Sequence, residues 1–101
     1  MKAYILIQFN LINRELFGSY IKAASSTIPA FGGQVIVAQE NPEATEGSLN
    51  TTRTTIIEFP SKDAAMNWYN SNDYADVKHL RHEATDNGTL IFLEAWQRPQ
   101  H

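Results

Sequence analysis

The chain has 101 residues, enough for one domain, with 43% hydrophobic and 19% charged residues, the balance of a soluble globular protein. Against 11 Asp and Glu stand 8 Lys and Arg, a formal charge of −3 with no basic cluster, which argues against nucleic acid as a partner. Cysteine is absent, excluding disulfides, thiolate nucleophiles and Cys-ligated zinc, and the longest apolar run near the start, residues 3–7, is too short for a bilayer span or a signal-peptide core. A soluble, cytoplasmic chain without membrane contact is the expectation.

Residues 2–9 (KAYILIQF) read as a largely buried first strand, rich in Ile, Tyr and Phe. A helix follows, with Asn13 as its N-cap and Glu15 in the positive first turn. Its apolar residues, Leu16, Phe17, Tyr20, Ile21, Ala24 and Ile28, fall within an arc of roughly 140°. Pro29 disfavours helical geometry at Ile28, so the helix is expected to finish there. Gly32 and Gly33 supply the turn into a second strand over 34–39. The polar, acidic stretch 40–50 lacks apolar periodicity and reads as a long loop, of the kind that is often functional or mobile.

A third strand is expected over 51–59, β-branched along most of its length. Ser61 then caps a helix in which Ala64 and Trp68, and Ala65 and Tyr69, pair at i,i+4. The run 70–73 is poor helix material, and Ser71 caps a second segment with Tyr74, Val77, Leu80 and Ala84 on one side. Asn87 and Gly88 are expected to stop it, ahead of a fourth strand over 89–96. A single domain over 1–97 and a polar tail over 98–101 result.

The order β-α-β-β-α-β is the ferredoxin-like pattern, an α+β fold in which helices cover one face of a four-stranded antiparallel sheet. Alternation places Ile5, Ile7, Phe9, Ile57, Phe59, Ile91, Leu93 and Ala95 towards the helices. The other face then holds Tyr4, Leu6, Gln8, Thr54, Ile56, Glu58, Leu90, Phe92, Glu94 and Trp96, too apolar to sit in water. Two copies stacked sheet to sheet across a two-fold axis would cover it, making the chain its own partner.

The residues Ile57, Glu58, Phe59, Pro60 and Ser61, then Ala64, Ala65, Trp68 and Tyr69, then Ser71, Tyr74, Lys78, Leu80 and Arg81, resemble the signature of a small bacterial family, domain of unknown function 1330 (DUF1330). Tyr20, Gly32 and Gly33, Glu46 and Gly47, Arg53 and Glu94 are similar to it too. The resemblance spans nearly the whole chain and implies a dimeric α/β barrel of two ferredoxin-like subunits. The chain departs from the pattern at Asn13 and Arg14, where Asp-Pro is frequent, at Asn72, where Pro commonly follows the serine, and at Ala95, where Gly is usual. Proteins sharing that barrel include cofactor-independent monooxygenases, haem-handling enzymes and lactone isomerases, and fold does not determine which chemistry is present.

His79, His82 and Glu83 have metal-ligand spacing on a helix. With Val77, Leu80 and Ala84 facing inward, however, His79 and Glu83 lie on the far side and His82 on a flank, so a solvated face is the reading and no metal is expected. The third histidine, His101, ends the polar tail. Arg81 borders the apolar stripe near Tyr74, where its planar fork reaches either a ligand's anionic group or an internal carboxylate, Glu58 or Glu94. Arg53 acts similarly from the third strand, or else is exposed at an edge. Glu58 and Glu94, if close in a dry pocket, would form a proton-transfer pair; otherwise each accepts hydrogen bonds across the dimer.

Phe17, Tyr20, Trp68, Tyr69 and Tyr74 group on the helix faces. Most of this aromatic cluster must be core, and the hydroxyls of Tyr20 and Tyr74 need partners or a small cavity to line. Gly32 and Gly33 lack the third glycine and following helix of a phosphate loop. The first hypothesis is a homodimer with a small pocket between helices and sheet, performing cofactor-independent acid–base or oxygenation chemistry on a small organic molecule. In it, Glu58, Glu94 and Arg81 are the catalytic candidates, and Tyr20, Arg53, Trp68, Tyr69 and Tyr74 the ligand-binding ones. The second is a non-catalytic binding or assembly module.

Overall fold

The computed structural model describes residues 1–99; His101, expected in a polar tail, lies outside them. The elements are β1 (Ala3–Leu11), α1 (Arg14–Ser25), a 3-10 turn (Pro29–Phe31), β2 (Gln34–Glu40), β3 (Arg53–Phe59), α2 (Lys62–Tyr69), α3 (Asn72–Ala84) and β4 (Thr85–Glu94). The sheet is antiparallel in the order β2-β3-β1-β4, the ferredoxin-like arrangement with its second helix broken in two. Among the described residues, no helix is long and apolar enough to cross a membrane.

All three long helices begin on side-chain caps, each worth about 1 kcal/mol. Asn13 Oδ1 accepts from the Leu16 amide at 2.9 Å, Ser61 Oγ from Ala64 at 3.1 Å and Ser71 Oγ from Tyr74 at 3.1 Å. The α2–α3 break comes where Asn70 leaves the helix and Ser71 restarts it. Against the expectation that the first helix runs to Ile28, α1 stops at Ser25. There the hydroxyls of Ser25 and Ser26 fold back onto the Ile21 and Ala23 carbonyls, and Ile28 instead starts the 3-10 turn.

Gly32 has φ +79°, a conformation that favours glycine. Gly33 is required for a different reason: a Cβ there would stand 2.6 Å from the Phe59 ring and 2.7 Å from Ile28. The core lies between helices and sheet, built on Ile5, Ile7, Phe9, Ile57 and Phe59 from the strands and Phe17, Tyr20, Ala65, Trp68 and Tyr74 from the helices.

The last strand corrects two expectations. Asn87 and Gly88 do not stop the helix; α3 ends at Ala84 and β4 starts at Thr85 without a loop. Asn87, at φ +52°, and Gly88 sit instead in an irregularity of the β1–β4 ladder, where the register shifts between Gln8 and Asn10. The face assignment of β4 is also reversed. Ile5 pairs with Phe92 and Ile7 with Leu90, so Leu90 and Phe92 point to the helices, while Ile91 and Leu93 lie opposite Leu6 and Tyr4 on the open face. Alternation could not decide this, because both sets are apolar; the register with β1 does.

The open face therefore presents Tyr4, Leu6, Ile56, Ile91 and Leu93, the last two each 44% exposed. Beyond the strand, Trp96 is 79% exposed.

Candidate functional site

Reversal of β4 separates Glu58 from Glu94. Glu58 pairs with Tyr4 on the open face, where Lys2 stands 3.3 Å away. Glu94 pairs with Ala3 on the helix face, with Lys62 at 3.8 Å. The two carboxylates are thus on opposite sides of one sheet and form no proton-transfer pair within a subunit. Neither reaches Arg81, so the expected internal ion pair is not made.

Three of the four aromatic candidates, Tyr20, Trp68 and Tyr74, are core. Trp68 is fully buried, stacked at 4.1 Å on Tyr74 and 5.7 Å from Phe59, and its indole N–H donates to Thr27 Oγ1 at 2.9 Å. Tyr74 is fully buried as well, and its hydroxyl meets that of Tyr20 at 2.9 Å, either serving as donor. Burial, and secondarily the neighbouring phenol, hold the Tyr20 proton far above the ordinary range. Burial raises Tyr74 also, with Arg81 and the Tyr20 hydrogen bond pulling the other way.

Arg53 is not at a sheet edge, since β3 lies between β2 and β1. It lies opposite Phe9, over the Phe17 ring at 5.0 Å, and shares Glu40 (3.0 Å) with Arg14 (2.9 Å). Arg14, through its hydrogen bond and charge, is the main cause that holds the Glu40 carboxyl below its usual value. This cluster lines a cleft of about 40 Å³, too small for an organic ligand.

A cavity large enough for a small organic molecule lies where α3 passes into β4. It measures about 460 Å³, with Ile7, Phe9, Leu90 and Tyr69 forming an apolar floor and Arg81, His82, Thr85, Asp86, Asn87 and Thr89 the polar lining. Tyr69 is held by an edge contact with Phe92 (5.9 Å) and by Lys78, whose ammonium is 4.6 Å from the ring centre and 3.4 Å from the hydroxyl. A narrow apolar cleft of about 50 Å³ lies on the other side of Ile7, Phe9 and Arg81, beneath Phe17 and Tyr20. Of the candidate residues chosen from the sequence, Arg81 and Tyr69 meet in the large cavity, Tyr20 borders the small cleft, and Glu58, Glu94, Trp68, Tyr74 and Arg53 line neither.

Arg81, in the last turn of α3, is the one buried charged residue among those described, 7% exposed. Its Nη2 lies 3.1 Å from His82 Nε2, and its Nε has no hydrogen-bond partner. Because the guanidinium can only donate, the histidine must present a lone pair at Nε2 and carry its proton on Nδ1. Partial burial, Arg81 and Lys78 all lower the His82 pKa, in keeping with the neutral ring. His79, His82 and Glu83 do not gather into a ligand set; among the described residues no group of three or more potential metal-binding His, Asp or Glu side chains occurs.

His82, Thr85, Asn87 and the strand floor are the site residues that sequence reasoning did not select. Their signal was hidden by the helix-to-strand boundary, which placed Thr85 and Asn87 on a helix end instead of a cavity wall.

No curated protein matches the chain. Solved structures with the same fold include a protein of unknown function from Rhodopseudomonas palustris (TM-score 0.79, 18% identity, covering 96% of this chain and 84% of that one). A dimeric ferredoxin-like protein of unknown function from Jannaschia sp. CCS1 is similar at TM-score 0.72 and 12% identity, covering 94% and 100%. SnoaB, a cofactor-independent oxygenase from Streptomyces nogalater, is similar at TM-score 0.69 and 10% identity, covering 96% and 95%. The sequence profile described as domain of unknown function (DUF1330) matches residues 2–96, and with the fold and site in view the conclusion is plain: this chain belongs to that family.

Proposed function

We propose that this protein is a homodimer, joined through the open faces of its sheets, in which each subunit takes up a small organic molecule in the α3–β4 cavity and acts on it without a cofactor. The cavity carries the reading: about 460 Å³, within the range that accepts such molecules, with Ile7, Phe9, Leu90 and Tyr69 as apolar surface beside a larger polar lining. Ile91 and Leu93, exposed beside Leu6 and Tyr4, support the dimer, as does the dimeric state of the Jannaschia relative. SnoaB supports cofactor-independent chemistry by likeness of fold. Arg81 would hold negative charge on the substrate, and His82, neutral and at the rim, would orient the guanidinium through its Nε2 lone pair. Glu58 and Glu94 leave the proton-transfer role, since neither lines the cavity.

Non-catalytic binding is the second reading, favoured by that same absence of a carboxylate pair. The test screens small organic molecules by thermal shift and by loss of ligand NMR signal, on wild type and on Leu90→Trp, which fills the floor. Binders that lose affinity for Leu90→Trp at least tenfold place uptake in the cavity. Equal binding to both proteins would refute the site. Turnover of a bound molecule without added cofactor then separates enzyme from binding module.

A further inference from the structure

We infer that the molecule bound in the α3–β4 cavity is an organic carboxylate with an apolar tail, its carboxylate seated on the guanidinium of Arg81; this rests on the cavity being the binding site. A guanidinium is never neutral in a protein, and a buried charge is costly unless it is paired and hydrogen-bonded. Arg81 is 7% exposed, yet no Asp or Glu among the described residues pairs with it. What it does touch supplies one hydrogen bond and no negative charge. His82 supplies a lone pair but no charge, and the Tyr20 and Tyr74 phenols nearby keep their protons. Nε is left with nothing at all.

Such a group is held in place by what covers its stem: Ile7 and Phe9 lie beside it in both the cavity and the narrow cleft. The missing half of the pair is an anion that enters through the cavity. A planar carboxylate fits a planar guanidinium through two parallel hydrogen bonds, which a rotating ammonium would not match. Inorganic ions do not explain the floor, where Ile7, Phe9, Leu90 and the Tyr69 ring offer apolar surface next to the charge. Asp86, at the exposed rim, repels a second negative charge and so favours a single carboxylate over a dianion.

The experiment pairs phenylacetate with phenylacetamide, equal in shape and different in charge, with inorganic phosphate as a third probe, on wild type, Arg81→Met and Leu90→Trp. Phenylacetate is expected to bind at least tenfold more tightly than the amide, to weaken as salt rises, and to lose this preference in Arg81→Met. Arg81→Met without ligand is expected to melt at or above the wild-type temperature, because it removes an unpaired charge while keeping the apolar stem. A melting temperature far below wild type, or failure to fold, would make the arginine structural and overturn the inference. Acid and amide binding alike, with Leu90→Trp blocking both, would refute the carboxylate and leave the cavity standing. Phosphate binding as well as phenylacetate would refute the apolar tail. Absence of all three from wild type, while other organic molecules bind there, would also overturn the inference; absence of every organic molecule tested would remove the cavity reading with it.

Discussion

Removal of one hydroxyl from the Tyr20–Tyr74 pair should cost more than removal of both. Each phenol oxygen has the other as its hydrogen-bond partner, at 2.9 Å, and the two residues are 5% and 0% exposed. In Tyr20→Phe or Tyr74→Phe the surviving hydroxyl stays buried without its partner, a loss of about 1–3 kcal/mol. In the double variant, both polar atoms disappear while the rings keep their packing, and the expected cost is below about 1 kcal/mol, since paired removal of hydrogen-bonding groups is close to neutral. A loss of about 2 kcal/mol corresponds to a melting temperature lower by roughly 8–16 °C for a chain of this size. Urea unfolding followed by circular dichroism, at one fixed protein concentration because the stability of the proposed dimer depends on it, gives the four free energies of the cycle. A double variant that costs the sum of the two singles would show that the hydroxyls are satisfied independently, and the reasoning would fail.

The same pair should register in alkali. Both phenols titrate above the ordinary value of about 10, so the unfolded chain releases these protons first. Their contribution to stability is whole below that pH and is lost as pH rises towards the native values. Ultraviolet titration should show two of the four tyrosines ionising only as the chain unfolds; smooth ionisation of all four in the folded state would contradict this. Gly33→Ala should destabilise by about 1–3 kcal/mol through overpacking against Phe59 and Ile28, whereas Gly18→Ala, on an exposed helix face with open space around the site, should stabilise by about 0.5–1 kcal/mol; equal effects in thermal melts would refute the distinction. In sedimentation equilibrium the wild type should be the proposed dimer and Ile91→Lys combined with Leu93→Lys a monomer; a monomeric wild type would refute the dimer, and an unchanged dimer would move the interface elsewhere.

Local chemistry made the elements readable. Asn13, Ser61 and Ser71 are capping residues that do cap, and the β-branched run before Phe59 does form an inner strand. What failed was the side of the sheet on which β4 points its residues. Leu90, Ile91, Phe92 and Leu93 are four apolar residues in succession, so periodicity carries no phase, and the phase comes from pairing with β1, at the far end of the chain. Two misplacements at the site descend from that ambiguity, Glu94 beside Glu58 and Leu90 off the floor of the cavity, while Thr85 and Asn87 are hidden by the helix-to-strand boundary. Arg81 was found because its position beside an apolar stripe is a helical, and hence local, property. Its lack of a carboxylate partner is a tertiary fact and had no trace in the spacing.

At the join of α3 and β4 a single carbonyl, that of Ala84, receives the amides of both Ile12 (2.9 Å) and Asn13 (3.1 Å). The exit of β1, the entrance to α1, the last turn of α3 and the first residue of β4 are thereby tied to one atom. Folds commonly alter their appetite for ligands by lengthening or shortening the segments around a cleft. Here that freedom is closed: an inserted residue between Ala84 and Thr85 would pull the knot apart before it reshaped the chamber. Relatives that keep this seam can diversify what they accept only by exchanging one side chain for another.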